Sequence, residues 1–285
     1  MGNAGAHSLH SPRRHPGEAA GWHYVIEQPP VQYLQSASVL TTQRAGGPGG
    51  AKSRFFMGFG DPVYDFESFK AGKPEYGQVS CSGESRSATY LCVGGKLGRL
   101  EGSGEEVRAI GRIFADANRS DKAHKVFLRA DATKENARCP DTALYGYIHF
   151  SAHGILAPGL QAIALSRIPD DNEDGFLTLG EIMNLRYNAR VVVLSACQTG
   201  LGWAERGEGI TGLTRAVMYA GSPSAVVSLW SVDDEGTRDL MVRFYDNMIR
   251  KGGGTAQSLR FAKQEMLKTK YRSPFFWSAF VMYGE

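Results

Sequence analysis

Two short stretches hold the residue types best suited to chemistry. Ser151-Ala152-His153-Gly154 follows the apolar run at 145–150 (YGYIHF), and Ser195-Ala196-Cys197-Gln198-Thr199-Gly200 overlaps the end of the run at 190–196 (RVVVLSA). A cysteine becomes a nucleophile when a base within hydrogen-bond reach takes its proton, and acyl transfer also needs donors for the developing oxyanion. His153 offers the base. The backbone N–H groups of Gly154 and Cys197 offer the donors. Ala152, Gly154, Ala196 and Gly200 are small enough for backbone and substrate to approach closely. Singly, each residue has an ordinary reading: a cysteine is often a small buried hydrophobe, and a strand-end histidine is often just hydrogen-bonded. Their joint position at the ends of two strands points to a nucleophile and its base.

The elements that must place them alternate. Ser103 and Glu106 have the spacing of a capping box, and Val107, Ile110 and Phe114 then fall on one helical face. Strands are expected at 125–129, 145–150, 160–166, 190–196 and 224–230. Thr178 and Glu181 form a second capping box, opening a short helix through Leu185. A helix over 209–220 and two amphipathic helices carrying Leu240, Met241, Phe244, Met248 and Ile249, then Leu259, Ala262 and Met266, complete the pattern. A strand at 276–283 closes the chain. Upstream, 54–59 (RFFMGF) reads as a buried strand halted by Gly60-Asp61-Pro62, and 23–27 (HYVIE) as a short strand. This order specifies an α/β fold with a mostly parallel sheet, in which ligands sit outside the carboxyl ends of the strands. His153 and Cys197 then share one edge, and touch if their strands are neighbours.

Composition excludes several classes. The chain has 285 residues, 42% hydrophobic and 21% charged. That is enough for a full core without disulfides. Its 35 glycines are more than an ordinary chain carries and predict many tight turns or close backbone approaches. A net charge of +3 is too small to argue for nucleic acid. The four cysteines contain no CxxC pair, which argues against zinc. No apolar run is long enough for a membrane span, and residues 1–21 carry neither a secretory signal nor a myristoylation pattern. The expected setting is cytoplasmic, with no cofactor. Residues 1–21 read as a disordered tail, 22–285 as one domain, and 61–102 as a loop insertion whose length and polarity would permit cleavage. Gly58-Phe59-Gly60 lacks the third glycine of a dinucleotide fingerprint, and no phosphate-binding loop motif is present. Asp170, Asn172, Asp174, Gly175 and Glu181 satisfy a calcium-loop pattern. Against it, the preceding segment reads as a strand, and Glu181 is already explained by capping.

His149-Phe150-Ser151-Ala152-His153-Gly154, Leu194-Ser195-Ala196-Cys197-Gln198-Thr199-Gly200, Ala220-Gly221 leading into Ser228-Leu229-Trp230-Ser231-Val232-Asp233-Asp234, and Phe276-Trp277-Ser278-Ala279-Phe280 together resemble the CHAT domain. CHAT domains are caspase-like cysteine peptidases related to separase. The resemblance runs in order from about Phe55 to Gly284. It implies a caspase–haemoglobinase-like three-layer sandwich, a His153–Cys197 dyad, and peptide-bond hydrolysis through a thioester. The spacing from His153 to Cys197 is close to the roughly 50 residues of caspases. No third residue that orients His153 is legible. By resemblance to separase, Asp233 or Asp234 would receive an Arg or Lys side chain before the cleaved bond; the alternative is that one of them caps the helix beginning near Glu235. Glu205 and Glu208 either line the cleft or are solvated loop charges. The resemblance further implies a latent bacterial signalling or defence protease acting on a protein or peptide, with regulation by TPR repeats supplied either by a separate partner or by a longer protein of which this is the protease part. The competing reading is a catalytically silent CHAT-fold interaction module.

Overall fold

A computed structural model of the chain describes residues 24–34, 53–75, 97–157, 160–168, 174–195, 197–198, 206–230 and 232–284; at 157, 197–198 and 206–210 it describes the backbone alone. The tail expected at 1–21 and the glycine-rich stretch at 44–51 lie outside the described residues.

Six strands form the main sheet: β1 (Phe56–Pro62), β2 (His124–Arg129), β3 (Tyr147–Ser151), β7 (Val191–Leu194), β9 (Ser224–Ser228) and β10 (Phe280–Gly284), in the order β10-β9-β7-β3-β1-β2. Strand β10 runs antiparallel to β9, and the other pairings are parallel. Parallel strands covered on both faces need apolar residues on both, and Val191, Val192 and Val193 are all fully buried. Phe56, Tyr147, Val191, Val193 and Val226 face one helical layer, made of α2 (Glu101–Asn118), α6 (Asp234–Ile249) and α7 (Thr255–Met266). Met57, Phe59, Ile148, Phe150, Val192 and Val227 face the other, which includes α3 (Lys134–Arg138), α4 (Leu179–Met183) and α5 (Arg206–Tyr219). This is the three-layer sandwich with a mostly parallel sheet that the resemblance implies. Phe127, Phe59 and Phe150 stack across β2, β1 and β3 at 5.0 and 4.9 Å, the offset geometry that aromatic rings favour.

Four further strands make a second sheet, β6 (Phe176–Thr178), β5 (Leu160–Ala164), β4 (His153–Ala157) and β8 (Cys197–Gln198), in that order. Its own small core joins Ile155, Leu160, Ala162, Ala164 and Phe176 to Leu97. The chain leaves the main sheet at Ser151 and enters the second at His153. It does the same between Leu194 and Cys197.

Several local expectations are corrected. Strand β1 continues through Gly60-Asp61-Pro62 rather than stopping there, by a register shift in which Asp61 takes a left-handed φ of 47°. At Gly60 the helix comes too close for any side chain: a Cβ there would lie 2.4 Å from Val107 and 2.6 Å from the Ser103 carbonyl. The pair Gly58 and Gly60 thus lets α2 lie close on the strand. The strand expected at 23–27 gives way, over its described residues 24–27, to a 3-10 turn at Val25–Glu27, and the carbonyls of Ile26 and Glu27 accept from Arg260. The closing strand is shorter than 276–283, because Pro274 opens a helical turn, α8 (Pro274–Trp277), before β10 begins; proline suits the first turn of a helix. Within 61–102 the described residues hold the end of β1, a short helix, α1 (Phe66–Lys70), capped by Asp65, and the first two residues of α2.

The two similar capping patterns have different fates. Thr178 and Glu181 form the full reciprocal box at α4. Ser103 and Glu106 form none, since α2 already starts at Glu101 and both side chains face inward. The Asp61 N–H donates to Ser103 Oγ at 2.6 Å. Glu106 takes His149 Nε2–H at 2.8 Å and the Ser151 hydroxyl at 3.0 Å. Tertiary partners have overridden the local pattern.

Candidate active site

His153 and Cys197 stand opposite each other across two paired strands. Strands β4 and β8 run parallel, with His153 opposite Cys197 and Gly154 opposite Gln198. The parent strands β3 and β7 are neighbours in the main sheet, and the Ser195 N–H donates to the Phe150 carbonyl at 2.9 Å as they diverge. The register of the β3–β7 ladder, Phe150 opposite Leu194, is kept where pairing resumes in β4 and β8, and it brings the two positions together.

The imidazole of His153 is held on two sides. Its Nε2 lies 2.8 Å from the Gly98 carbonyl. A carbonyl only accepts, so Nε2 carries the proton. The Tyr64 ring tilts against the imidazole at 5.2 Å, while the His153 N–H donates to the Tyr64 hydroxyl at 3.2 Å. The other ring nitrogen, Nδ1, is buried without a hydrogen-bond partner among the described residues. His153 is 7% exposed. Burial pushes its pKa below the ordinary 6.5, opposed by the Gly98 carbonyl, which favours the charged ring; a low-dielectric surrounding penalises the cation. At neutral pH the ring is neutral with a free lone pair on Nδ1, the state a general base requires. Since a lowered pKa delays protonation as pH falls, the His153 ring is expected to take up its second proton below pH 6.5. A proton–nitrogen NMR titration checks this; a midpoint above 6.5 would contradict it.

Gly98 is not legible in sequence as an orienting group. A carbonyl is common to every residue type, so its role has no signature there. Glu106 is equally hidden, because its spacing from Ser103 points to a cap. It is 2% exposed and forms, with His149, Ser151 and Tyr245, a buried network beneath the site. Burial first, then Glu106 and Tyr147, raise the Tyr245 pKa well above 10, so its hydroxyl keeps its proton; it lies 3.3 Å from His149 Nδ1. The Glu106 carboxylate accepts, which places a proton on the opposite nitrogen of His149.

The paired acids at the start of α6 separate in role. Asp233 is its N-cap: the Oδ2 accepts from the Gly236 N–H at 3.0 Å, the usual service of an aspartate at that position. Asp234 is the first helical residue, open to solvent yet crowded by protein. This desolvation raises its pKa, helped by Glu106 and Asp233 and opposed by the Gly102 N–H. It presses on α2 at Gly102, where an added Cβ would fall 2.5 Å from the Asp234 Cβ. The stretch 98–102 thus touches His153 at one end and Asp234 at the other.

Of the calcium-pattern residues, Asp170 and Asn172 lie outside the described residues. Asp174 and Glu181 both pair with the buried Lys134 ammonium, at 2.9 and 3.1 Å. Among the described residues no cluster of three or more His, Cys, Asp or Glu side chains is placed to hold a metal ion. Glu205 and the Glu208 side chain also lie outside them. No helix among the described residues is long and apolar enough to cross a membrane.

Among known proteins, tetratricopeptide repeat protein 28 of Mus musculus is 29% identical over 109 residues, 38% of this chain and 4% of that protein. Its Homo sapiens counterpart is 25% identical over 130 residues, 41% of this chain and 5% of that protein. The chain therefore spans about one-twentieth of the length of these curated relatives. The crystal structure of the Arg-specific cysteine proteinase gingipain R aligns with 82% of this chain and 46% of its own, at 11% identity and a TM-score of 0.47. Residues 7–285 match the CHAT domain family, and on that match the chain belongs to the CHAT family.

Proposed function

We propose that this protein is a cysteine endopeptidase in which Cys197 is the nucleophile and His153 the general base. The observation that carries this reading is the register of β4 against β8, which sets His153 opposite Cys197 while Gly98 holds the far ring nitrogen. In the proposed sequence, His153 Nδ1 takes the Cys197 thiol proton as sulfur bonds to the scissile carbonyl carbon. The N–H groups of Gly154 and Cys197 receive the oxyanion. The carbonyl re-forms as the C–N bond breaks, and the proton on His153 passes to the leaving amine. Water, deprotonated by the same nitrogen, then attacks the thioester, releasing the acid and returning the proton to sulfur. No cofactor enters this scheme.

An Arg or Lys preference before the cleaved bond would rest on Asp234, because the Asp233 carboxylate is engaged by the helix cap. A charge-assisted hydrogen bond to a basic side chain is worth ~1.5–3 kcal/mol, or about 10- to 150-fold in selectivity. Asp234→Asn is accordingly expected to lower the ratio of kcat/KM for Arg over norleucine peptides by at least ~10-fold. An unchanged ratio would remove Asp234 from the specificity site. We read the organisation as a tail at 1–21 and one domain at 22–285. Both curated relatives are named for tetratricopeptide repeats, which supports regulation of this domain by such repeats, linked or in a separate cytoplasmic partner. We read the role as regulated signalling or defence proteolysis.

A further inference from the structure

The Gly98 carbonyl can hold His153 only if its own segment is held. Gly98 has no side chain, and among the described residues no atom outside its chain neighbours comes within 4 Å of where its Cβ would be. The next residue does have an anchor. Arg99 Nε and Nη2 donate to Asp61 Oδ1 and Oδ2 at 3.0 and 2.8 Å, a two-pronged pair of the strong, directional kind. The Asp61 side chain is 4% exposed and also accepts from Arg129 Nη1 at 2.9 Å. Arg129 in turn pairs with the buried Glu75 side chain. Further along, the Asp61 N–H donates to Ser103 Oγ, and that hydroxyl donates to the Leu100 carbonyl at 2.7 Å. Asp61 thus grips the stretch 98–103 by its carboxylate and by its backbone. Its own position is set by an unusual left-handed backbone, φ 47°, at the end of β1.

We propose that the Asp61–Arg99 pair is a positioning clamp that holds the Gly98 carbonyl on His153 Nε2 and so leaves Nδ1 as the free ring nitrogen. A neutral imidazole can carry its proton on either nitrogen, and the wrong tautomer presents a donor where the reaction needs an acceptor. The clamp makes that choice through a carbonyl whose position is dictated by an ion pair one residue away. A lysine at position 99 would keep the charge but lose the planar fork that fits both carboxylate oxygens. The consequence for catalysis rests on the peptidase reading above; the consequence for the ring does not.

The test is long-range proton–nitrogen NMR on histidine-labelled protein, with His153 assigned by the loss of its signals in His153→Gln. Wild type is expected to show His153 as the Nε2–H tautomer at pH 7.5. Arg99→Ala is expected to show a mixture of tautomers, and Arg99→Lys an intermediate spectrum. On a cleaved peptide, Arg99→Ala is expected to lower kcat by ~100-fold with little change in KM, as for a misplaced reacting group. If Arg99→Ala does not fold, Arg99→Lys carries the test alone. A pure Nε2–H tautomer retained in the variant, or absent from wild type, would overturn the clamp. If no peptide is cleaved by any of the proteins while the tautomer shifts as expected, the clamp stands and the peptidase reading falls.

Discussion

Cys197→Ala is expected to lower kcat/KM for peptide cleavage by about 10³-fold or more, with the thermal unfolding midpoint unchanged within about 2 °C. Alanine has no atom that can bond to the scissile carbonyl, so the thioester route closes completely. The fold should tolerate the change, since Cys197 is tied in by backbone pairing of β8 with β4. That pairing does not depend on the side chain. Nucleophile and base act as a unit, so adding His153→Gln to Cys197→Ala should cost little further. Steady-state cleavage of a fluorogenic peptide by the two single variants and the double variant checks this. Losses that multiply would mean that His153 does not act through Cys197.

The second large effect is on stability. Glu106→Ala is expected to destabilise the protein by about 3–5 kcal/mol, the usual result of removing one partner from a buried, paired polar group. The carboxylate takes hydrogen bonds from both His149 and Ser151, and His149 is wholly buried. Without Glu106 these two donors are orphaned in the core between β3, α2 and α6. Each unsatisfied group costs ~1–3 kcal/mol. Glu106→Gln, which keeps an acceptor for one of them, should cost clearly less. Differential calorimetry of the three proteins reads the effect; a Glu106→Ala melt within about 1 °C of wild type would show that water or rearrangement meets both donors.

The same network shows where sequence is a good guide and where it is not. The main sheet is legible because strands buried on both faces must be apolar throughout, and 190–196 and 224–230 have that character in sequence alone. The meeting of the 153 and 197 positions follows from the same logic, since both terminate neighbouring strands. The second sheet is not legible as a sheet: β8 has two residues and β6 three, too short for any periodicity. Glu106 and Ser103 mislead because a capping box is a spacing, and a spacing does not reveal whether the side chains turn toward their own backbone or toward β1 and β3. Asp233 and Asp234 cannot be told apart until the helix start is fixed at Asp234, which makes Asp233 the cap. Gly98 and Asp61 act through a backbone carbonyl and a left-handed bend, neither of which has a residue-type signature. The general rule is physical: burial patterns are written in side-chain type, while the orientation of a base is written in long-range contacts.

The most direct test of the peptidase reading is digestion of a proteome-derived peptide library, read by mass spectrometry, with wild type beside Cys197→Ala. New peptide ends in the wild-type digest only, preceded mostly by Arg or Lys, are the predicted result. Identical peptide maps from the two proteins would contradict it.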